Sequence, residues 1–572
     1  MSSFTEKELQ MIQQKAKDYI EYESDPHFRQ EVITSLDEHA VEDLYDRFYT
    51  SLSFGTAGMR GVIGGGTNRI NPFMIRKVTQ GLASYLLTQE DRPSVVIAYD
   101  SRNYSAEFAQ QAATTLCANN IVVYLYDSLR PVPLLSFAVQ QLKATSGIVI
   151  TASHNPAKYN GYKVYYNDGG QVTPPHDIGI ADMVLHVDIA TIKNMSKEEA
   201  ITKNLLRSVP ESVDEAYDTL AISSLLRKES IKKQKVSVAY TPLHGSGDIP
   251  VRRILGKLGL EVYTVESQQE ANGDFPTVSM PNPEDPEAMR LVLDLAKKVK
   301  ADIVMGTDPD ADRLGIAIPK DKHKTEYTLL SGNQIAVLLT DYLIERYKDL
   351  APTSKKPLVV KSFVTTDLVR EITETNKGLC KDVLTGFKYI AEQIVEVDKS
   401  DEYFYLFGCE ESFGYNSLKD IRDKDAVSSA LLAVEMMSYY AEIGITIQQR
   451  LESIYKEYGF YTESVMSFGY EGASGLEKMK AIMQSFRDKK RGDEFAGATI
   501  VNIVDLLNDR NSGFPPANVI ILTFDNDDKM VVRPSGTEPK IKYYFFFKTE
   551  AENKEVYLAN LSKRIAGYKA YL

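Results

Sequence analysis

Cysteine is scarce: Cys117, Cys380 and Cys409 are the only three in 572 residues, widely spaced. That excludes a disulfide framework and a thiolate zinc site, and it favours a reduced, cytoplasmic setting. The seven histidines are scattered without zinc-ligand spacing. No run of eighteen apolar residues occurs, and the first residues include charged Glu6, Lys7 and Glu8 rather than an apolar signal core. Neither export nor membrane insertion is therefore expected. Positive charge is in deficit, with a formal net charge of -13, which argues against general nucleic-acid binding. An anionic ligand would need a positive field built locally.

Core material is ample, at 43% hydrophobic residues. A chain of this length exceeds what one core usually supports, so three to five domains are expected. Leu9, Ile12, Ala16 and Ile20 recur at helical spacing over 5–22 and predict an amphipathic helix with a structural role. From residue 95 the pattern alternates: strand 95–100, helix 107–118, strand 121–126, helix 133–142, strand 147–151. Such alternation predicts a mostly parallel sheet with crossover helices. The plan recurs over 236–306, with strands at 236–240, 261–265 and 301–306, and again between strands at 358–362 and 403–407. It fades beyond 455, where strands at 518–524, 530–533 and 541–546 and helices at 475–486 and 552–568 are expected. The fold class is thus α/β: three similar α/β domains with mixed, mostly parallel sheets, plus a smaller C-terminal α+β domain. The expected boundaries are 1–205, 206–325, 326–455 and 456–572, with linkers near 205–230 and 318–326.

Each unit ends on a polar loop of different chemistry. Ser146-Gly147-Ile148-Val149-Ile150 runs into Thr151-Ala152-Ser153-His154-Asn155-Pro156, which presents Ser153 at the carboxyl end of a strand. A nucleophile or phosphate carrier would sit there; a plain turn closing the strand is the alternative. An adjacent residue is poorly placed to be a base, so His154 does not make a Ser-His pair by itself, and no Gly-x-Ser-x-Gly elbow occurs. Asp308, Asp310 and Asp312 follow the second unit's last strand. Three acids so close repel unless a cation binds them, and hard oxygen ligands suit Mg²⁺; a solvated acidic turn is the alternative. A calcium EF-hand is excluded, since Arg313 and Pro319 occupy its glycine and final glutamate positions. Arg313 would suit an anion shared with the metal. Arg533, Ser535, Gly536, Thr537 and Lys540 combine a guanidinium, two hydroxyls and a glycine backbone, the donors a phosphate dianion needs; Ser-Gly-Thr is also ordinary turn composition, so a plain turn is the alternative. Glu410 and Ser412 could meet sugar hydroxyls or simply start a helix. Arg60, in the glycine-rich run 54–61, offers a fixed positive fork, and Lys163 could balance phosphate charge or move a proton.

Taken together, the runs 151–156, 308–313, 408–414 and 533–540, supported by 54–61 and Thr385-Gly386-Phe387-Lys388, resemble the α-D-phosphohexomutase superfamily in order and over essentially the whole chain. Within it the resemblance is strongest to bacterial α-phosphoglucomutases and the phosphopentomutase-related branch. It implies a four-domain, heart-shaped enzyme whose Ser153 is phosphorylated at rest. Ser153 would donate its phosphoryl group to O6 of glucose 1-phosphate. Glucose 1,6-bisphosphate, intermediate and activator, would then turn over and return the other phosphoryl group, yielding glucose 6-phosphate reversibly.

The resemblance also implies that Asp308, Asp310 and Asp312, with Ser153, hold Mg²⁺. Glu410 and Ser412 would read sugar hydroxyls, while Arg533, Ser535, Gly536 and Thr537 grip the non-transferring phosphate. Arg60, Lys163, Arg313 and Lys388 match basic positions around the reacting phosphates. Ser153, Lys163, Arg60 and His154 are the candidate catalytic residues, Lys163 for proton transfer. Many phosphomannomutase/phosphoglucomutases carry a histidine two residues after the sugar-loop serine, where this chain has Gly414. The expected partners are small-molecule sugar phosphates, with no nucleic acid or membrane; monomer and dimer both remain open. Phosphopentomutase and phosphomannomutase activity are the alternatives, ahead of a Mg²⁺-dependent phosphatase and a non-catalytic sugar-phosphate-binding protein.

Overall fold

The structure is a computed structural model that describes residues 5–55, 58–350, 353–470, 472–534, 540–550 and 554–570. It packs as two units, Met1–Ser331 with Ile394–Glu396 and Ser412–Ile443, and Gly332–Gln393 with Val397–Glu411 and Gly444–Leu572.

The first unit opens on the helix Glu6–Tyr22, started by a capping box in which Thr5 and Glu8 exchange side-chain and backbone hydrogen bonds. Its buried face, Ile12, Ala16 and Tyr19, joins the core of the first α/β layer. That layer is built on Gly58–Val62 (β1), Ser94–Tyr99 (β2), Val122–Leu125 (β3), Ser146–Ile150 (β4), Tyr159–Tyr166 (β5) and Leu206–Ser208 (β6), ordered β1-β5-β4-β2-β3-β6. Strands β4, β2, β3 and β6 run parallel, and β5 and β1 are added antiparallel at one edge. Central β4 is buried at every position, as a strand covered by helices on both faces must be.

A second sheet, Val238–Thr241 (β7), Val262–Thr264 (β8), Ile303–Thr307 (β9), Leu314–Pro319 (β10) and Tyr327–Leu329 (β11), is ordered β11-β10-β9-β7-β8. Parallel β7, β8 and β9 again sit beside an antiparallel edge.

The second unit holds the parallel strands Lys356–Ser362 (β12), Leu379–Val383 (β13) and Tyr403–Glu410 (β14), with β12 between the other two. The short strand Gly414–Asn416 (β15) belongs to the first unit, where Gly414 bridges Arg313. The second unit also carries an antiparallel sheet of Phe460–Gly469 (β16), Glu494–Phe495 (β17), Ala498–Asp505 (β18), Ile520–Phe524 (β19), Lys529–Pro534 (β20) and Lys540–Thr549 (β21), ordered β16-β21-β20-β19-β18-β17. Helices Gly472–Arg487 and Lys554–Ala570 accompany it.

Two expectations fail. The run 205–230 is no linker, because helix Glu211–Ser223 buries Val213, Tyr217 and Ala221 at i, i+4 and i+8. Its buried acids are neutralised by cations distant in sequence: Asp214 pairs with Arg130 at 2.9 Å, and Asp218 with Arg253 and Lys257 at 2.8 and 2.6 Å. The polar run 318–326 likewise turns the β10–β11 hairpin inside the second sheet. Among the described residues no single helix is long and apolar enough to cross a membrane.

Candidate active site

Ser153 follows β4 at the carboxyl end of its parallel sheet, and Asp308 follows β9 at the corresponding end of the second. The structure brings the two loops together: Ser153 Oγ donates to Asp308 Oδ2 at 2.8 Å. Ser153 is buried and takes a left-handed backbone, φ 52°, unusual for a residue with a side chain. Its N–H donates to Thr151 Oγ1 at 2.9 Å, and Thr151 Oγ1 donates to Asp100 Oδ2 at 2.6 Å while lying 3.2 Å from Asp310 Oδ2. Sequence adjacency argued against contact between Ser153 and His154. The left-handed turn instead places His154 Nδ1 3.1 Å from Ser153 Oγ. Burial, with Arg313 and Arg60 nearby, holds His154 well below the usual imidazole range, so the ring is neutral.

Asp308, Asp310 and Asp312 are all buried, and one carboxylate oxygen of each lies within 4.8 Å of the others. Asp308 Oδ1 accepts from the backbone N–H of Asp312 and Arg313 at 3.2 and 3.0 Å. Asp310 Oδ1 and Asp312 Oδ1 are buried and accept no hydrogen bond. Burial first, then Asp310 and Asp312, push Asp308 well above the carboxylate range. Burial opposes ionisation of Asp312 too, but Lys424, Lys163 and Arg313 outweigh it and hold Asp312 below that range. Three buried, converging carboxylates, two of them with an oxygen that accepts no hydrogen bond, fit a hard divalent cation such as Mg²⁺.

The local positive field comes from several elements. Lys163, on β5, places Nζ 2.9 Å from Asp310 and 3.4 Å from Asp312. Against its own burial, these acids keep it above the usual ammonium value. Arg313 pairs with Glu284 at 2.7 Å, and Arg60 on β1 donates to Asn155 Oδ1 at 3.3 Å. Sequence reasoning missed Lys424, whose Nζ lies 3.4 Å from Asp312 and 3.2 Å from Asp423. It also explains Gly414: a Cβ there would lie 2.2 Å from Lys424 Cδ, so the lysine stem fills the space that a larger residue would need. Asp100, Arg102 and Glu284 were missed as well, and no local pattern singles them out; Thr151 stood in the 151–156 run but was given no role of its own. Asp100 lies one residue past the end of β2, however, as Ser153 lies just past β4.

The other candidates distribute as follows. Ser412 is half-buried in the first unit. In the second unit, buried Glu410 accepts the Gly386 N–H at 2.8 Å through Oε1, and Lys388, two residues on from Gly386, is buried too. Arg533 is half-buried on β20, opposite Lys542 of β21. Ser535, Gly536 and Thr537 lie outside the described residues.

Comparison with known proteins adds an independent finding. Residues 51–189, 217–321 and 331–458 match the models of the alpha/beta/alpha domains I, II and III of phosphoglucomutase/phosphomannomutase. A phosphoglucomutase of Staphylococcus epidermidis is 37% identical over 538 residues, covering 90% of this chain and 95% of its own length. The chain belongs to the phosphoglucomutase/phosphomannomutase family. A family member named phosphoglucomutase from Staphylococcus aureus is 38% identical over 536 residues, 90% of this chain and 94% of its own. Two solved structures share the fold. The exocytosis-sensitive phosphoprotein pp63/parafusin (phosphoglucomutase) of Paramecium, in an open form, aligns with a TM-score of 0.67 and 18% identity over 87% of this chain and 91% of its own. A phosphoglucomutase/phosphomannomutase family protein of Burkholderia thailandensis aligns with a TM-score of 0.66 and 17% identity over 91% of this chain and 97% of its own.

Proposed function

We propose that this family member is a phosphoglucomutase that interconverts α-D-glucose 1-phosphate and glucose 6-phosphate, with Ser153 as the phosphoryl carrier and glucose 1,6-bisphosphate as the intermediate. The observation that carries the reading is Ser153 Oγ held 2.8 Å from Asp308 in a buried pocket of three aspartates flanked by Lys163, Lys424 and Arg313. Relatives named phosphoglucomutase over most of the chain support the choice of glucose.

In the transfer the bond from phosphorus to Ser153 Oγ breaks as the bond from phosphorus to the sugar O6 forms. The O6 proton leaves, and a proton returns to Oγ. We assign the proton exchange to Lys163: kept protonated beside Asp310 and Asp312, it would give a proton to Oγ as that oxygen is released and take up the O6 proton in return. Mg²⁺ held by Asp308, Asp310 and Asp312 would neutralise charge on the phosphoryl oxygens during transfer. Arg313, fixed by Glu284, and Arg60 supply donors for phosphate oxygens. His154 keeps a neutral ring against Oγ, and Glu410, Ser412, Lys388 and the Arg533 loop are assigned to the sugar and the non-transferring phosphate.

Phosphopeptide mass spectrometry should find phosphate on Ser153, and Ser153→Ala should abolish mutase turnover. Wild-type turnover in that variant would sink the mechanism. A coupled assay over glucose, mannose and pentose 1-phosphates ranks the substrates, and equal rates on pentose and hexose would overturn the choice of glucose.

A further inference from the structure

Arg102 is 3% exposed, and it spends its guanidinium on the backbone of a single loop. Nη1 donates to the carbonyls of Pro156 and Tyr159, each at 3.0 Å, and Nη2 donates to the carbonyls of Ser153, at 2.5 Å, and Asn155. Nε faces Asp100 Oδ2 at 3.4 Å. Asp100 in turn accepts from Arg102 N–H at 2.9 Å, Ser105 Oγ at 2.7 Å and Thr151 Oγ1 at 2.6 Å. Since Thr151 Oγ1 also accepts the Ser153 N–H, Ser153 is gripped on both sides: its N–H through Thr151 and Asp100, its C=O directly by Arg102.

The clamp is closed from above by the second α/β layer of the same unit. The Phe275 ring centroid lies 5.0 Å from the Arg102 guanidinium carbon. Phe275 is itself buried and left-handed, φ 47°, an outlying backbone for a bulky residue that its surroundings must impose. Its segment lies flush against Arg102 and Asn103: a Cβ on Gly273 would come 2.3 Å from Asn103 N, and Asn103 Nδ2 donates to Asp274 Oδ1 at 2.7 Å.

We infer that Arg102, braced by Phe275, is a positioning residue for phosphoryl transfer: it fixes the left-handed backbone of Ser153 and so aims Oγ at the aspartate pocket. The inference rests on the phosphoserine reading above. A planar five-donor fork is needed to satisfy four carbonyls at once, which an ammonium with three donors cannot do. With the fork gone, the loop carbonyls reorient and the serine leaves its strained conformation. A shift of about 1 Å at a reacting atom costs roughly 100-fold in rate.

The test compares wild-type, Arg102→Lys and Phe275→Leu as full chains, with thermal midpoints, kcat and KM for glucose 1-phosphate, and phosphate occupancy of Ser153 by intact mass after glucose 1,6-bisphosphate treatment. Arg102→Lys should keep KM within about twofold while kcat falls roughly 100-fold and phosphorylation of Ser153 slows in step. Phe275→Leu, which keeps the fork but removes its brace, should lose about tenfold in kcat with KM held. Normal kcat in Arg102→Lys overturns the inference, as does a loss that vanishes well below the thermal midpoint. If Arg102→Lys does not fold, Phe275→Leu decides by the same criteria. Phosphate on wild-type Ser153 together with normal turnover in the variants overturns only the role of Arg102. Absence of phosphate on wild-type Ser153 overturns both readings.

Discussion

Replacing Glu463 by glutamine should stabilise the protein at alkaline pH and leave it unchanged in acid. Glu463 lies half-buried on β16, where Asn333 Nδ2 donates to its Oε2 at 3.0 Å. Burial, reinforced by the neighbouring Asp367 and opposed by hydrogen bonds from Thr366 and Asn333, pushes its carboxyl from an ordinary 4.5 to about 7. A carboxyl raised in the folded state binds a proton on folding. Its contribution to stability is therefore complete below about 4.5 and is lost as pH rises through about 7. At 1.36 kcal/mol per unit the full swing is about 3 kcal/mol, and partial solvation reduces it to about 2. Glutamine stays neutral at every pH and can still accept from Asn333. Thermal unfolding at pH 4 should give equal midpoints for Glu463→Gln and wild-type. At pH 8 the variant should melt about 4–8 °C higher. A variant that is destabilised equally at both pH values would mean that Glu463 is charged and well solvated in the fold, and the reasoning fails.

Two further predictions concern the pocket. Activity should be lost in chelator and restored by Mg²⁺, and Asp310→Asn, which removes one of the converging charges, should raise the Mg²⁺ concentration for half-activity by about tenfold or more; an unchanged Mg²⁺ dependence would contradict the assigned ligands. Gly414→Ala forces a Cβ to within 2.2 Å of the Lys424 stem, and such overpacking should lower stability by about 1–3 kcal/mol in denaturant titration. Adding Lys424→Ala to that variant should recover the Gly414 loss, because the clash partner is gone, and strict additivity of the two losses would show that the clash lies elsewhere.

The parts of this protein that could be read from its sequence are those in which function is written along a single stretch of chain. The strands leading to Ser153 and Asp308 are continuous apolar runs, and the loops that follow them are dense in one kind of chemistry, so both the α/β plan and the two loops were visible. Contact between His154 and Ser153 was not, because it depends on the sign of one φ angle. Arg102 and Lys424 were invisible for a different reason. Each acts at a site far away in the chain, Arg102 on carbonyls beginning at Ser153 and Lys424 on Asp312, and a single cation in a polar run looks like solvated surface. The same error made residues 205–230 look like a linker, when Asp214 and Asp218 are neutralised by Arg130, Arg253 and Lys257.

The missed cations and the mistaken linker share one physical cause: a buried charge is recognisable only through its partner, and the partner is chosen by the fold. The overall charge of -13 already required a local positive field for any anionic substrate. That field is assembled from β5, from the turn after β9 and from the segment after β15, which supply Lys163, Arg313 and Lys424. No one of these segments is basic enough to announce it. Three aspartates can share a buried pocket because the cations arrive from separate segments of the chain, and because two of their oxygens remain open for one more. The fold therefore does more than carry the two legible loops to one place: it supplies the opposite charge without which neither loop could be buried.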